Sequence, residues 1–146
     1  MRTPASIRGH PIHPMLVPIA IGCFVFSFAA DLIRLFSGNA TPWLALAYYT
    51  MLGGIVGALA AAVPGFIDLL SLRGPAQRTA TLHMVINLGV VALYAGNAWL
   101  RHAEPHDTAL PTALSTLGIL SLLVSGWLGG KMVFEAGVGV QGEGVR

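Results

Sequence analysis

The sequence predicts an all-α protein, an integral membrane four-helix bundle with antiparallel up-down topology. Of its 146 residues, 55% are hydrophobic and only 10% are charged, with a mean hydropathy of +0.73, whereas soluble domains carry about 25% charged residues. Four apolar segments each reach the ~20 residues that cross ~30 Å of hydrocarbon. Lipid offers no hydrogen-bond partners to backbone amides, so each segment should be a helix. The expected spans are Met15–Phe36, Trp43–Leu70, Thr81–Leu100 and Leu110–Phe134.

Short links join consecutive spans, which makes sequential helices antiparallel neighbours in one domain. We expect a cytoplasmic N-terminal arm over residues 1–14, the four-helix transmembrane domain over residues 15–136 and a glycine-rich tail over residues 137–146. The Gly137-Val138-Gly139 stretch does not open a strand–helix unit, so it is not a dinucleotide-binding signature.

The first span is entered through the stretch GHPIHP, residues 9–14. Pro14 suits the first turn of a helix, where its missing N–H costs nothing, and Pro11 keeps His10 out of helical conformation. The prolines therefore stiffen the entry to the span, and His10 and His13 are either ligands or polar residues at the membrane interface.

The second span has a small residue at every fourth position, and the fourth span has Gly126 and Gly130 at the same spacing. Such rows let helices approach closely, within a chain or between chains. A flat small-residue face also leaves room for a planar cofactor, and the spacing does not separate these readings. Pro64 removes one backbone donor, so it should kink the helix or be accommodated by neighbours. The row consists of Gly53, Gly57, Ala61 and Gly65.

Polar residues of the third span fall on one stripe at 3.6 residues per turn. A shorter stripe on the first span contains Cys23, Ser27, Asp31 and Arg34. Polar groups in lipid usually face a bundle interior or a wet cavity, so the two stripes should face a shared core. For most of these residues the favoured interpretation is a hydrogen-bonded seam between helices. The third-span stripe is His83, Asn87, Tyr94, Asn97 and Arg101.

Basic residues predict the orientation, because cytoplasmic loops carry the excess of lysine and arginine. The N-terminal arm, the second link and the tail share one side. They contain Arg2, Arg8, Arg73, Arg78, Lys131 and Arg146, against Arg34 and Arg101 on the other side. Both termini are therefore expected in the cytoplasm.

This orientation places His10, His13, Asp68 and His83 at one membrane level, near the cytoplasmic face. Imidazole is a common ligand of transition metals and of haem iron. We take His10, His13, His83 and Asn87 as candidate cofactor-binding residues, and His10, His13, His83 and Asp68 as candidate metal ligands. A pair such as His13 and His83 has the residue types for axial ligation of haem b. An interfacial seam accounts for the same residues about equally well.

Other classes of function have little support in the sequence. No nucleophile elbow, phosphate loop or His-Glu-x-x-His helix is present, so no catalytic residue is assigned and an enzyme acting on its own is disfavoured. The net charge of +2 and scattered basic residues do not predict nucleic-acid binding. Cys23 is the single cysteine, which excludes a disulfide framework within the chain.

Three groups of residues resemble one family. GHPIHPMLVPIAIG, then GFIDLL with RTATLHMVINL, then GWLGGKMVFEAGVGV are similar to the bacterial domain-of-unknown-function 2231 family of predicted four-span membrane proteins. The resemblance runs from Gly9 to Val140 and includes both arm histidines, Asp68, His83 and Asn87. Some relatives look like fusions to Rieske-type iron–sulphur domains, which implies redox work, although this chain has no such domain.

Three hypotheses for function follow. The first is a cytoplasmic-side site for a transition metal or haem b, serving electron transfer to a redox partner or metal handling. The second is a small transport or proton-relay protein that uses the polar stripe of the third span. The third is a non-catalytic assembly subunit whose small-residue faces bind partner helices or form a homo-oligomer. All three place the chain in the lipid bilayer.

Overall fold

The computed structural model describes residues 3–104 and 109–140. Four helices follow a two-stranded hairpin, which confirms the predicted all-α class and span count. Each helix is long and apolar enough to cross a membrane. The elements are β1 Ser6–Ile7, β2 His10–Pro11, α1 Ile12–Arg34, α2 Thr41–Ser71, α3 Gly74–Ala103 and α4 Ala109–Phe134.

Helices α2 and α3 extend beyond their apolar segments at both ends. Helix α3 begins at Gly74 with Pro75 in its first turn, where proline is tolerated because that N–H has no helical partner. Its polar first turns precede the apolar stretch that starts at Thr81. Helix α2 runs without a break through Pro64, which is buried.

The N-terminal arm forms a small antiparallel hairpin, with Ile7 paired to His10. Arg8 and Gly9 connect the strands with φ of 51° and 83°. A two-residue turn with two positive φ angles matches the right-handed twist of a hairpin, and glycine adopts it without strain.

The helices pack as two hairpins, α1 with α2 and α3 with α4. Contacts of α2 with α3 and of α1 with α4 close the ring, so α1 lies diagonally opposite α3. Large apolar side chains such as Phe26, Val63 and Leu123 point outwards, as expected where the outer surface faces lipid. The core between the diagonal helices contains Ala20, Phe24, Met51, Val90, Tyr94 and Ala98.

The second hairpin repeats the first. Residues on α1 correspond to residues on α3 that lie 70 positions later, and residues on α2 correspond to those on α4 that lie 64 positions later. The matched hydrogen bonds are His13 to Ala61 with His83 to Ser125, and Ser27 to Ala47 with Asn97 to Pro111. Gly54 beside Phe24 likewise matches Gly118 beside Tyr94. Because α1 and α3 run parallel, a pseudo-twofold axis along the bundle relates the hairpins.

Candidate functional site

His13 lies in the first turn of α1 and points towards α2. Its Nδ1 is 2.8 Å from the carbonyl oxygen of Ala61. The ring packs on Gly65, where an added Cβ would come within 2.7 Å of Nδ1. Real Cβ atoms do not approach so closely, so the glycine makes room for the imidazole.

His83 is held in the corresponding way by α4. Its Nδ1 is 2.9 Å from the carbonyl oxygen of Ser125 and 3.0 Å from the Ser125 hydroxyl. Asn87 Nδ2 donates to that hydroxyl at 2.5 Å and to the His83 carbonyl at 2.7 Å. Asn87 thus orders the serine that contacts the histidine.

The two imidazoles from α1 and α3 meet inside the bundle in a T-shaped arrangement, with ring centroids 6.2 Å apart and ring planes at 88°. A carbonyl oxygen only accepts hydrogen bonds, so Nδ1 of each ring must be the protonated nitrogen. In the neutral form of each ring, Nε2 then carries the lone pair. Among described residues neither Nε2 has a hydrogen-bond partner, and the two groups remain available as ligands.

His10 and Asp68 have different surroundings. His10 lies on β2 and is exposed. Asp68 is buried at the end of α2, and its Oδ1 accepts the backbone N–H of Ala5 at 2.8 Å, which fixes the arm to the bundle. Within the described ranges no group of three or more His, Cys, Asp or Glu residues is arranged to hold a metal ion. The structure therefore brings together His13, His83 and Asn87 and leaves His10 and Asp68 outside the pair.

Beyond the histidines, the two polar stripes do face a shared core. Phe24 stacks on Tyr94 at 4.0 Å between centroids. At the far end, Arg101 Nη1 donates to Asp31 Oδ1 at 2.8 Å, and its side chain is 7% exposed. Asn97 donates to Pro111 at 2.9 Å. The polar side chains on α3 mostly make hydrogen bonds to neighbouring helices. They form the hydrogen-bonded seam between helices that the sequence favours.

The small-residue row of α2 packs within the chain. A Cβ on Gly57 would lie 3.3 Å from the Ala20 backbone, and one on Gly53 would lie 3.4 Å from Cys23. A Cβ on Gly126 of α4 would meet no described atom of another helix within 4 Å. The row thus serves the α1–α2 hairpin, and the hypothesis of an assembly subunit stays a prediction.

The histidine end of the bundle has one further opening. A cavity of about 190 Å³ lies between the first turns of α3 and the last turns of α4, lined in part by Thr79, Lys131 and Glu135. Lys131 Nζ is 3.7 Å from Glu135 Oε2 and 5.5 Å from the Trp127 ring.

Sequence reasoning missed the internal repeat and the two carbonyl partners of the histidines. The sequence does contain a signal of the repeat, namely equal spacings in the first and third helices. Phe24 and Asp31 follow His13 at the same intervals at which Tyr94 and Arg101 follow His83. Several residues used to predict orientation or assigned to the third link lie outside the described ranges, namely Arg2, His106, Asp107 and Arg146.

Comparison with known proteins gives one family. The family model described as "Predicted membrane protein (DUF2231)" matches residues 9–142. No curated protein and no solved structure matches the chain significantly. The match covers all four helices and agrees with a multi-pass protein of the lipid bilayer.

Proposed function

The chain belongs to the DUF2231 family of predicted membrane proteins, and we propose that it is an electron-transfer protein that holds haem b between His13 and His83. The proposal places it in the bacterial inner membrane with both termini in the cytoplasm. The observation that carries it is the pair of opposed imidazoles, each with Nδ1 bonded to a backbone carbonyl.

The donor set favours haem over a bare metal ion. A zinc site needs three or four protein ligands, and the described residues offer no group of three candidate ligands. Haem iron needs only one or two axial ligands from the protein, and histidine is a common one. Two imidazoles without a third ligand therefore fit haem.

The separation of the rings agrees with this assignment. An imidazole nitrogen binds a metal such as zinc at about 2.0–2.1 Å, so two rings that share one ion must lie within a few ångströms of it. The observed separation is 6.2 Å.

Hydrogen bonds and small side chains give further support. Metal-bound histidines almost always donate their other N–H to a carbonyl, carboxylate or water, which fixes the tautomer and the ring orientation. Both histidines do so here. Beside the rings, α2 and α4 carry the small residues Ala61, Gly65, Ser125 and Gly129, so the imidazoles lie directly against these helices.

The role follows from the number of ligands. Bound haem would supply a one-electron couple, and His13 and His83 would both hold it. With two histidines engaged on the group, the proposed chemistry is electron transfer rather than oxygen activation. Ser125 and Asn87 hold His83 in place, and the apolar helices keep water away.

Spectroscopy of the purified protein tests the proposal. Cells supplied with iron and a haem precursor should yield protein with about one haem per chain and a six-coordinate spectrum. His13→Ala and His83→Ala should lose the haem. His10→Ala and His102→Ala are matched controls, because both side chains are exposed, and they should keep it. A colourless wild type, or haem retained in both His13→Ala and His83→Ala, refutes the proposal, and a bound metal ion without haem supports metal handling instead.

A further inference from the structure

We infer that the cavity between α3 and α4 is a carboxylate site that takes the acid-bearing edge of the haem, an inference that rests on the proposed function. The cavity has a volume of about 190 Å³, and its lining includes one cation, Lys131, the partner of that cation, Glu135, and the hydroxyl-bearing Thr79. None of these residues belongs to the histidine pair.

The position of the cavity relative to the histidines is suitable. Thr79 precedes His83 by one helical turn, and Lys131 follows Ser125 by six residues. At 1.5 Å per residue these intervals place the cavity about 6 to 9 Å along the bundle from the His83 hydrogen bond, towards the helix ends. A porphyrin ring with its acid arms bridges a gap of this size.

The chemistry of the ligand requires such a site. Haem b carries two carboxylates on one edge, and charged groups are costly within hydrocarbon. That edge must therefore leave the bilayer at the nearer end of the bundle. Lys131 is the only lysine in the sequence, and its side chain is 41% exposed, so a carboxylate can reach it.

Lys131 retains capacity for another anion. Its ammonium group has three donors, and its partner Glu135 lies 3.7 Å away with a side chain that is 66% exposed. An exposed pair of this kind contributes little. A haem carboxylate would compete with Glu135 for the ammonium group of Lys131. Removing the charge of Glu135 should therefore strengthen the binding of haem.

Haem dissociation measures the contribution of Lys131. Lys131→Met removes the charge and keeps the length of the side chain, whereas Lys131→Arg keeps the charge. Arg8→Met is the matched control, because it removes a positive charge from the hairpin turn of the arm. We expect haem to leave the Lys131→Met protein about tenfold faster than wild type. Lys131→Arg and Arg8→Met should stay within about twofold, and Glu135→Gln should slow the loss.

Haem dimethyl ester isolates the carboxylates. When the full-length protein is loaded with this ester, wild type and Lys131→Met should release it at the same rate. A difference that persists with the ester overturns the inference, as does a Lys131→Met protein that releases haem no faster than Arg8→Met. A Lys131→Met protein that keeps its haem but loses binding to vesicles of anionic phospholipid also overturns it, in favour of a lipid phosphate. These outcomes leave the histidine site intact, whereas absence of haem from the wild type defeats the proposed function itself.

Discussion

Asp31→Asn should destabilise the bundle far more than the loss of an ordinary buried hydrogen bond. Arg101 donates to both carboxylate oxygens of Asp31, and the two side chains are 7% and 1% exposed. The substitution leaves a buried guanidinium without its counter-ion. Breaking one partner of a buried pair costs about 3–5 kcal/mol, whereas neutral hydrogen bonds between membrane helices average about 0.6 kcal/mol.

Thermal unfolding in detergent distinguishes these magnitudes. For a chain of this length, each kcal/mol shifts Tm by about 2–4 °C, so Asp31→Asn should lower Tm by roughly 6–20 °C. Ser27→Ala is the matched control, because it removes a buried bond to the Ala47 carbonyl one turn away on the same helix. It should lower Tm by about 1–2 °C.

A double variant shows whether the uncompensated charge is the cause. Asp31→Leu with Arg101→Met removes both charges, and replacing a whole buried pair with apolar residues is often neutral. This protein should regain most of the Tm lost in Asp31→Asn. The reasoning is wrong if Asp31→Asn resembles Ser27→Ala, or if the double variant is as unstable as Asp31→Asn.

Two further predictions concern packing and the arm. Gly118→Ala should destabilise the protein by about 1–3 kcal/mol through overpacking, because a Cβ there would lie 2.6 Å from the Tyr94 ring. Gly126→Ala is the control and should have little effect, because a Cβ there would meet no described atom of another helix within 4 Å. Equal Tm values for the two variants would contradict this prediction. Asp68→Ala should free the arm, because it removes the acceptor of the Ala5 N–H. Hydrogen exchange at Ala5 and Ile7 should then accelerate, and Asp68→Asn, which keeps an acceptor oxygen, should change it less.

The sequence alone was enough to predict the membrane-spanning segments and the helix faces that pack against each other. The length of the apolar runs determines where helices cross lipid, and the polar spacing on α3 identifies the side that contacts its neighbours. The site was predicted only in part. His13, His83 and Asn87 come together, but membrane level alone cannot show that His10 is exposed on a strand or that Asp68 binds the arm. The exposure of His10 depends on the turn at Arg8 and Gly9, and the role of Asp68 depends on its bond to a backbone N–H. Neither feature can be read directly from the residue types.

The internal repeat has a consequence for how the protein is made. Each partner of Asp31 and His13 lies 70 residues further along the chain. At a synthesis rate of about 5–20 residues per second, roughly 4–14 seconds separate the production of the two partners. During that interval the first hairpin carries Asp31 without Arg101, its partner in the finished bundle. The ion pair at this end of the bundle can therefore form only after most of α3 has been made.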